Sequence, residues 1–404
     1  MTTEVFWRVK HSVSPVLTRQ PLKGLYLLVV VAGALIRLPY WLIVSAIPAT
    51  RHRKRWSFAR AMQMHILQYT FIPLFATLAL PTVFIDPKTV DPAKGTIWID
   101  PTPEFVAGEI KEAADVNGVE PARVIGYMQF KKGKECRADE KARPGEKIIY
   151  HLHGGGYIWD GVKGGSGWLC SKWLEESPSM SRTFQVEFRL SSSHPRPRKN
   201  GFPAALIDAL AGYNFLVNVL GFEPHNVILS GDSGGAHMGI GLVRYLIQQQ
   251  FPTLPLPGSL LLISPVADFG GTHIGMEHWR ANASSDFTQS FYYGYPTSSL
   301  LGSLPVEMAE LSPWISPGSL KLPEPHGLFK GFPRTYMVTG GAECALDQQH
   351  TLRDRMRTDM GESSFQYLEV PDALHVFPTM SFHTPENAET IRALTRWAEE
   401  VDEQ

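Results

Sequence analysis

The sequence predicts an α/β protein built on a mostly parallel sheet of eight strands, with helices on both faces of the sheet. From Thr96 onward, short apolar runs alternate with stretches of helical periodicity. This alternation is typical of parallel strands joined by helices that cover a sheet from both sides. The predicted strands are Thr96–Ile99, Val124–Gln129, Lys147–Leu152, Phe184–Phe188, Val227–Ser230, Leu260–Ile263, Thr335–Val338 and Gln366–Val370.

At 404 residues, the chain is long enough for one large α/β domain with an extension. We expect an N-terminal membrane-associated segment over residues 1–60, cap or lid helices over 61–95, and the main domain over 96–404. Residues 269–333 are too many for a single crossover, are rich in Ser, Pro and aromatic residues, and are expected to form a second part of the cap.

Charge and cysteine content narrow the possible functions. The net charge is −1 at pH 7 and no large basic block occurs, so a nucleic-acid partner is not expected. The 3 cysteines, Cys136, Cys170 and Cys344, are far apart, with neither a disulfide framework nor zinc-ligand spacing. We therefore expect no metal ion.

The N-terminal region contains a long apolar stretch. Residues 24–36 are continuously apolar, Arg37 interrupts them, and the apolar character resumes as far as Ile47. A membrane span needs about twenty apolar residues, and a charge near its middle costs roughly 2.5–3.5 kcal/mol. A membrane anchor, a buried helix and a cleaved signal peptide are the alternatives, of which we favour the anchor.

The flanks of this stretch are basic on both sides, with Arg8, Lys10, Arg19 and Lys23 before it and the run Arg51–Arg55 after it. Because both flanks are basic, the orientation of the segment in the membrane stays open. The run Arg51–Arg55 is expected to face lipid headgroups. We expect the protein to be attached to the membrane of the endoplasmic reticulum. The next apolar stretch, Ile66–Phe84, contains Pro73 and Pro81 and is expected to be an amphipathic lid segment.

A nucleophile is predicted where the strand Val227–Ser230 ends. The sequence Gly231-Asp-Ser233-Gly234-Gly has the Gly-x-Ser-x-Gly pattern, and helical periodicity follows over Gly239–Gln249. Serine on a sharp turn from strand to helix has an exposed hydroxyl, and the flanking glycines allow the tight turn. Ser233 is therefore the candidate nucleophile.

Two further motifs supply the groups that such a serine needs. After the strand Lys147–Leu152 comes His153-Gly154-Gly155-Gly156, whose bare backbone N–H groups suit a developing oxyanion. His375 follows a late strand, as a general base would, and the acids Glu343 and Asp347 follow the strand before it. His153 and Gly156 are expected to have a structural role in the glycine loop rather than to take part in the chemistry.

Together, HGGG, GDSGG and the late histidine resemble the hormone-sensitive-lipase-like branch of the α/β-hydrolases, over roughly Thr96 to the C-terminus. Phe188-Arg189-Leu190, His194-Pro195, Phe202-Pro203-Ala204-Ala205 and the run from Ser264 to Asp268 add to the resemblance. Members commonly have Asp at the acid position, whereas this sequence has Glu343. Fungal members of the branch resemble this version. The resemblance implies an α/β-hydrolase fold with a helical cap and a pair of edge strands that run antiparallel.

The resemblance also implies a serine esterase that needs no cofactor. Its triad would be Ser233, His375 and Glu343, with Asp347 as the alternative acid, and the N–H groups of Gly154, Gly155 and Gly234 would receive the oxyanion. The membrane-like N-terminus favours a small lipophilic ester, such as a short-chain or acetyl ester of a sterol or a secondary metabolite.

Two rival functions use the same fold. One is an acyltransferase or cyclase with the same triad, and the other is a ligand-binding receptor that has lost the base. The sequence Asn282-Ala-Ser284 also fits an N-glycosylation sequon, which matters only if this face of the protein is lumenal, and the sequence leaves open whether Asn282 is glycosylated.

Overall fold

The computed structural model describes residues 13–134 and 137–400, so Arg8, Lys10 and Cys136 lie outside the described residues. An eight-stranded sheet stands at its centre, in the order β1-β2-β4-β3-β5-β6-β7-β8. The strands are β1 (Thr96–Ile99), β2 (Val124–Phe130), β3 (Ile148–Leu152), β4 (Arg182–Glu187), β5 (Val227–Asp232), β6 (Ser259–Ile263), β7 (Arg334–Gly340) and β8 (Phe365–Val370).

Most of the sheet is parallel, as the sequence predicts. Strands β3 to β8 run parallel to their neighbours in this group, whereas β2 is antiparallel to both β1 and β4. The predicted antiparallel pair at one edge is confirmed, and so is the α/β fold class. The carboxyl ends of β3, β5, β7 and β8 therefore meet at one edge of the sheet.

Helices cover both faces. They are α1 (Leu22–Ala46), α2 (Phe58–Ala76), α3 (Gly108–Asn117), α4 (Gly165–Glu176), α5 (Ala204–Asn214), α6 (Gly234–Gln249), α7 (Glu277–Asn282), α8 (Tyr295–Leu301), α9 (Met308–Leu311), α10 (Leu346–Met360) and α11 (Glu386–Glu399). Alternate residues of a strand point to opposite faces. In β6, accordingly, Leu260 and Leu262 join the core beneath α5 and α6, whereas Leu261 and Ile263 join the core beneath α4 and α11.

The N-terminal region forms two packed helices. Helix α1 has 25 residues, contains Pro39, and is mostly exposed on its apolar side chains. In the described part of the chain, it is the helix that is long and apolar enough to cross a membrane. Its contacts are with α2, where Trp41 lies edge-on to Tyr69 and the Arg37 guanidinium lies 4.8 Å above the same ring. Arg37, which interrupts the apolar run, therefore faces a partner helix.

The basic run after α1 is divided between protein and solvent. Arg51 donates to the carbonyl oxygens of Ser45 at 2.7 Å and Trp56 at 2.5 Å, which closes the end of α1. Arg53 donates to Asn282 and to Ser285 of the main domain. Lys54 and Arg55 are exposed. Only Lys54 and Arg55 of the run Arg51–Arg55 are therefore free to face headgroups in the way that the sequence predicts for the whole run.

Helix α2 is fixed to the main domain. Arg60 forms a bidentate ion pair with Glu386 at 2.9 and 2.6 Å. Phe71 of α2 contacts Phe287 and Phe291 of the 269–333 insertion, with ring centroids 5.2 and 5.5 Å apart. Helix α2 and the insertion thus meet above the edge at which the parallel strands end.

Candidate active site

The backbone of Ser233 is held in an unusual conformation between β5 and α6. Its φ and ψ are 53° and −116°, and its N–H donates to the Ile263 carbonyl at 2.9 Å. A side chain on Gly235 would lie 2.0 Å from the Leu152 carbonyl oxygen. The glycines are therefore required by the close approach of β3, and the turn presents the Ser233 hydroxyl at the end of the sheet.

Three side chains from separate strand ends meet at this turn. His375 Nε2 lies 2.9 Å from Ser233 Oγ, and His375 Nδ1 lies 2.7 Å from Glu343 Oε2. The carboxylate can only accept, so the Nδ1 proton faces Glu343 and Nε2 is left to accept from the serine hydroxyl. The sequence-predicted serine, histidine and first acid are thus in one hydrogen-bonded chain.

The Glu343 carboxylate is fully buried and surrounded by donors. Besides His375, it accepts hydrogen bonds from Ser264 Oγ at 2.7 Å, from Gln349 Nε2 at 2.7 Å and from the Gly340 N–H. Sequence reasoning missed Ser264 and Gln349 as parts of the site. Ser264 has a positive φ of 45° and its hydroxyl also accepts from the Val376 N–H at 2.9 Å, so one residue fixes both acid and base loops.

The pKa of His375 is raised by its surroundings. Burial alone would lower it, but the charge of Glu343 and its hydrogen bond to Nδ1 outweigh burial, and the charges of Asp286 and Asp232 add to the rise. The site therefore stabilises the imidazolium form.

Asp347 lies elsewhere. It is in the first turn of α10, where its carboxylate accepts from His278 Nδ1 at 2.8 Å and from the Trp279 N–H at 3.0 Å. Both partners belong to α7. In the described structure, this alternative acid stabilises the start of α7 and makes no hydrogen bond to His375.

The glycine loop lies against the nucleophile turn. A side chain on Gly154 would lie 3.2 Å from Ser233 Cβ, and one on Gly234 would lie 3.1 Å from the Gly156 nitrogen. Gly155 and Gly156 both have positive φ, 91° and 58°. In the part of the chain that the structure describes, the N–H groups of Gly155, Gly156 and Gly234 donate to no protein acceptor. Gly156, expected as a structural residue, is therefore a further candidate donor.

The remaining predicted residues support the loop. His153 is buried, stacks on Phe188 at 4.0 Å between centroids, and has its Nδ1 3.0 Å from the Gly154 carbonyl oxygen. Burial lowers the pKa of His153 to about 4, so its ring is neutral. Asp232 accepts from His151 at 3.0 Å and from Ser166 at 2.6 Å.

Asn282 is not available to a glycosyltransferase in this fold. It is 2% exposed, and its Nδ2 donates to the Glu343 carbonyl at 2.7 Å and the Gly341 carbonyl at 3.2 Å. The side-chain amide of Asn282 instead holds the loop that carries Glu343.

A sequence model of the α/β hydrolase fold matches residues 149–379, which is more than half of the 404 residues. The chain belongs to the α/β hydrolase family. The matched residues contain every member of the hydrogen-bonded chain described above.

Curated relatives of this α/β hydrolase are bacterial. An esterase of Acinetobacter venetianus is 26% identical over 238 residues, which cover 59% of this chain and 68% of the relative. An acetyl-hydrolase of Streptomyces hygroscopicus is 30% identical over 168 residues, which cover 40% of this chain and 50% of the relative.

Solved structures share the fold at lower identity. A hormone-sensitive lipase from a metagenome library is 22% identical with a TM-score of 0.52, covering 68% of this chain and 81% of that structure. The esterase EstE5 soaked with ethyl alcohol is 21% identical with a TM-score of 0.55, covering 84% and 97%. These similarities show the α/β-hydrolase fold.

A cavity of about 430 Å³ opens onto Ser233 and His375 of the hydrolase. Its walls come from α2 and the segment after it, from the glycine loop, from the insertion and from the loop after β8. The apolar wall residues are Leu67, Phe71, Leu74, Leu80, Pro81, Trp159, Phe287, Phe291, Met380 and Phe382. An apolar cavity with a few polar groups near the nucleophile suits an uncharged organic ligand.

Proposed function

We infer that this α/β hydrolase is a carboxylic ester hydrolase, and we propose that Ser233, His375 and Glu343 are its catalytic triad. The observation that carries the proposal is the hydrogen-bonded chain from Ser233 Oγ through His375 to the buried Glu343 carboxylate. The esterase and acetyl-hydrolase names of the two bacterial relatives support the reaction type.

In the proposed mechanism, Ser233 Oγ attacks the ester carbonyl while His375 Nε2 takes the hydroxyl proton. The imidazolium is stabilised by Glu343, and the oxyanion accepts hydrogen bonds from N–H groups of the glycine loop and of Gly234. His375 then gives its proton to the departing alcohol. A water molecule, deprotonated by the same nitrogen, releases the acid from the acyl-enzyme.

We propose an uncharged lipophilic ester with a short acyl group as the substrate, such as an acetyl ester of a sterol or of a secondary metabolite. The apolar walls of the cavity and the acetyl-hydrolase relative support this class. Helix α2 and the 269–333 insertion are proposed to act as the cap, since both contribute walls around Ser233.

We propose that α1 attaches the enzyme to a membrane. Its 25 residues suffice to cross a bilayer and its apolar side chains are mostly exposed, which a core helix of a soluble domain would avoid. The endoplasmic reticulum as the location and a fungal-type origin stay predictions. Fractionation of the full-length protein tests the attachment.

Labelling by a fluorophosphonate tests the nucleophile. The probe should modify Ser233, and peptide mapping should find the label on the peptide that contains it. Modification of another serine, with Ser233 unlabelled, would contradict the proposal. Adding a competing alcohol during turnover of an acetate ester separates hydrolysis from acyl transfer, because a transferase would form the new ester in preference to free acetate.

A further inference from the structure

Asp160 is an acidic side chain in the wall of an otherwise largely apolar cavity. It lines the same cavity as Ser233 and His375. In the described residues, its carboxylate accepts a hydrogen bond from the adjacent Gly161 N–H at 2.9 Å and forms no ion pair. A charged group in such a place needs a polar partner, because burial without one is costly.

The position of Asp160 is fixed relative to the nucleophile. Its backbone has a φ of 72°, which few residues other than glycine, asparagine and aspartate adopt readily. The turn before it is closed by hydrogen bonds from the Ile158 and Trp159 N–H groups to the Gly155 carbonyl at 3.1 and 3.2 Å. A side chain on Gly155 would lie 3.1 Å from Asp160 Cβ. The turn that carries Asp160 is therefore packed against the glycine loop.

Space beside the carboxyl group is kept open by glycines. A side chain on Gly164 would lie 2.1 Å from Asp160 Oδ1, and one on Gly165 would lie 3.2 Å from Thr379 Oγ1. Ser166, Thr379 and Ser381 also line the cavity. This end of the cavity is thus polar, whereas the side formed by α2 and the insertion is apolar.

A second carboxyl group, that of Glu187, interacts electrostatically with Asp160. Both oxygens of Glu187 are buried, and its Oε1 would lie 2.7 Å from a side chain on Gly161. Burial raises the pKa of Asp160 to about 7, with the charge of Asp232 adding to the rise. Burial likewise raises the pKa of Glu187 to about 7, and the charge of Asp160 adds to it, whereas that of Lys163 opposes it.

We propose that Asp160 binds a free hydroxyl group of the substrate, so that the enzyme prefers esters of lipophilic alcohols that carry a second hydroxyl. A hydroxyl is suited to this carboxyl group because it donates to the ionised form and accepts from the protonated form. This inference rests on the proposed esterase function and adds the polar end of the substrate to it.

The test compares alkyl acetates with the monoacetates of straight-chain diols of matched length, over a series of increasing length. At the length that reaches Asp160, the hydroxylated ester should have a kcat/KM about tenfold or more above that of its alkyl partner, since hydrogen bonds to charged groups have about this effect. Asp160→Gly, which tolerates the positive φ, should bring the ratio of the two kcat/KM values close to one. Asp160→Asn, which keeps a hydrogen-bonding side chain of the same shape, should retain part of the preference.

Asp100→Asn is the matched control, because Asp100 is 81% exposed and paired with Arg123 away from the cavity. It should leave the ratio at the wild-type value. Equal kcat/KM values for both ester types at every length would overturn the inference, as would a preference that survives in Asp160→Gly. A higher kcat/KM for amino-alkyl acetates than for the diol monoacetates would overturn the inference, because Asp160 would then bind a cation rather than a hydroxyl group. Absence of turnover for every ester would instead contradict the proposed function.

Discussion

Replacing Glu343 by glutamine tests whether this residue, rather than Asp347, orients the base. Glutamine has nearly the same shape, so the perturbation is the loss of charge and of one acceptor. In the unmutated protein, the Glu343 carboxylate accepts hydrogen bonds from His375, Ser264 and Gln349, each at 2.7 Å. An amide has one acceptor oxygen, and its NH₂ group must face one of these donors.

The consequence falls on His375. Where the amide NH₂ faces Nδ1, the imidazole must carry its proton on Nε2, and that nitrogen can no longer accept from Ser233, which lies 2.9 Å away. The imidazolium also loses the charge that stabilises it. The comparable change in a serine protease triad lowers kcat by about 10⁴, and we expect about the same here. At about 1.36 kcal/mol for each factor of ten, this is roughly 5.5 kcal/mol of transition-state stabilisation.

Asp347→Asn is the matched control. Its partners, His278 and the Trp279 N–H, belong to α7. We expect a loss of about 1 kcal/mol in the free energy of unfolding and a change in kcat of no more than about threefold. Turnover of p-nitrophenyl acetate gives kcat and KM, and circular dichroism with thermal unfolding checks that both variants fold. Full activity of folded Glu343→Gln with loss of activity in folded Asp347→Asn would refute the reasoning.

Ser233→Ala should lower kcat by about 10⁶ with little change in thermal unfolding, and near-normal turnover by the purified variant would contradict the mechanism. The acid limb of the kcat/KM profile should lie above about pH 6.5, which is the pKa of an unperturbed histidine, because the raised pKa of His375 keeps Nε2 protonated to higher pH. In Glu343→Gln the charge that raises this pKa is lost, so the residual activity should show the acid limb at lower pH. Deleting residues 1–46 should move the protein from the membrane fraction to the soluble fraction, whereas a full-length protein that is soluble without detergent would argue against an anchor. Acetate and butyrate esters should be hydrolysed faster than long-chain triacylglycerols, and the opposite order would show that the cavity accepts longer acyl chains than we expect.

Local pattern predicts the strands well because each is a short apolar run with turn residues at its ends. The start of α6 shows where this reasoning fails. The periodicity predicts a helix from Gly239, whereas the helix begins at Gly234. Gly234 and Gly235 are poor helix formers in isolation, but β3 approaches so closely that a side chain on Gly235 would collide with the Leu152 carbonyl. The requirement comes from a strand far away in the sequence.

The same reason explains the parts of the site that sequence reasoning missed. Ser264 and Gln349 reach Glu343 from the end of β6 and from α10, and no local motif links them to an acid. The sequon at Asn282 leaves glycosylation open because a three-residue motif contains no information on burial, and Asn282 is in fact buried. Motifs indicate the reacting groups, because their chemistry restricts residue type, whereas supporting contacts depend on tertiary packing.

The N-terminal region contacts the loop that carries Glu343, which bears on how the proposed membrane segment relates to catalysis. Arg53 donates to the Asn282 side chain, and Asn282 in turn donates to the Glu343 carbonyl at 2.7 Å. Asp286 of the same insertion accepts from the Cys344 N–H at 2.6 Å. Trp56 is fully buried and donates to the Asp372 carbonyl at 2.8 Å, in the loop that carries His375. The connection between α1 and α2 is therefore part of the scaffold of the acid and the base, whereas α1 itself contacts mainly α2. We therefore propose that the membrane segment, if it is separable, is α1 as far as Ala46, and that the residues from Arg51 onward support the site.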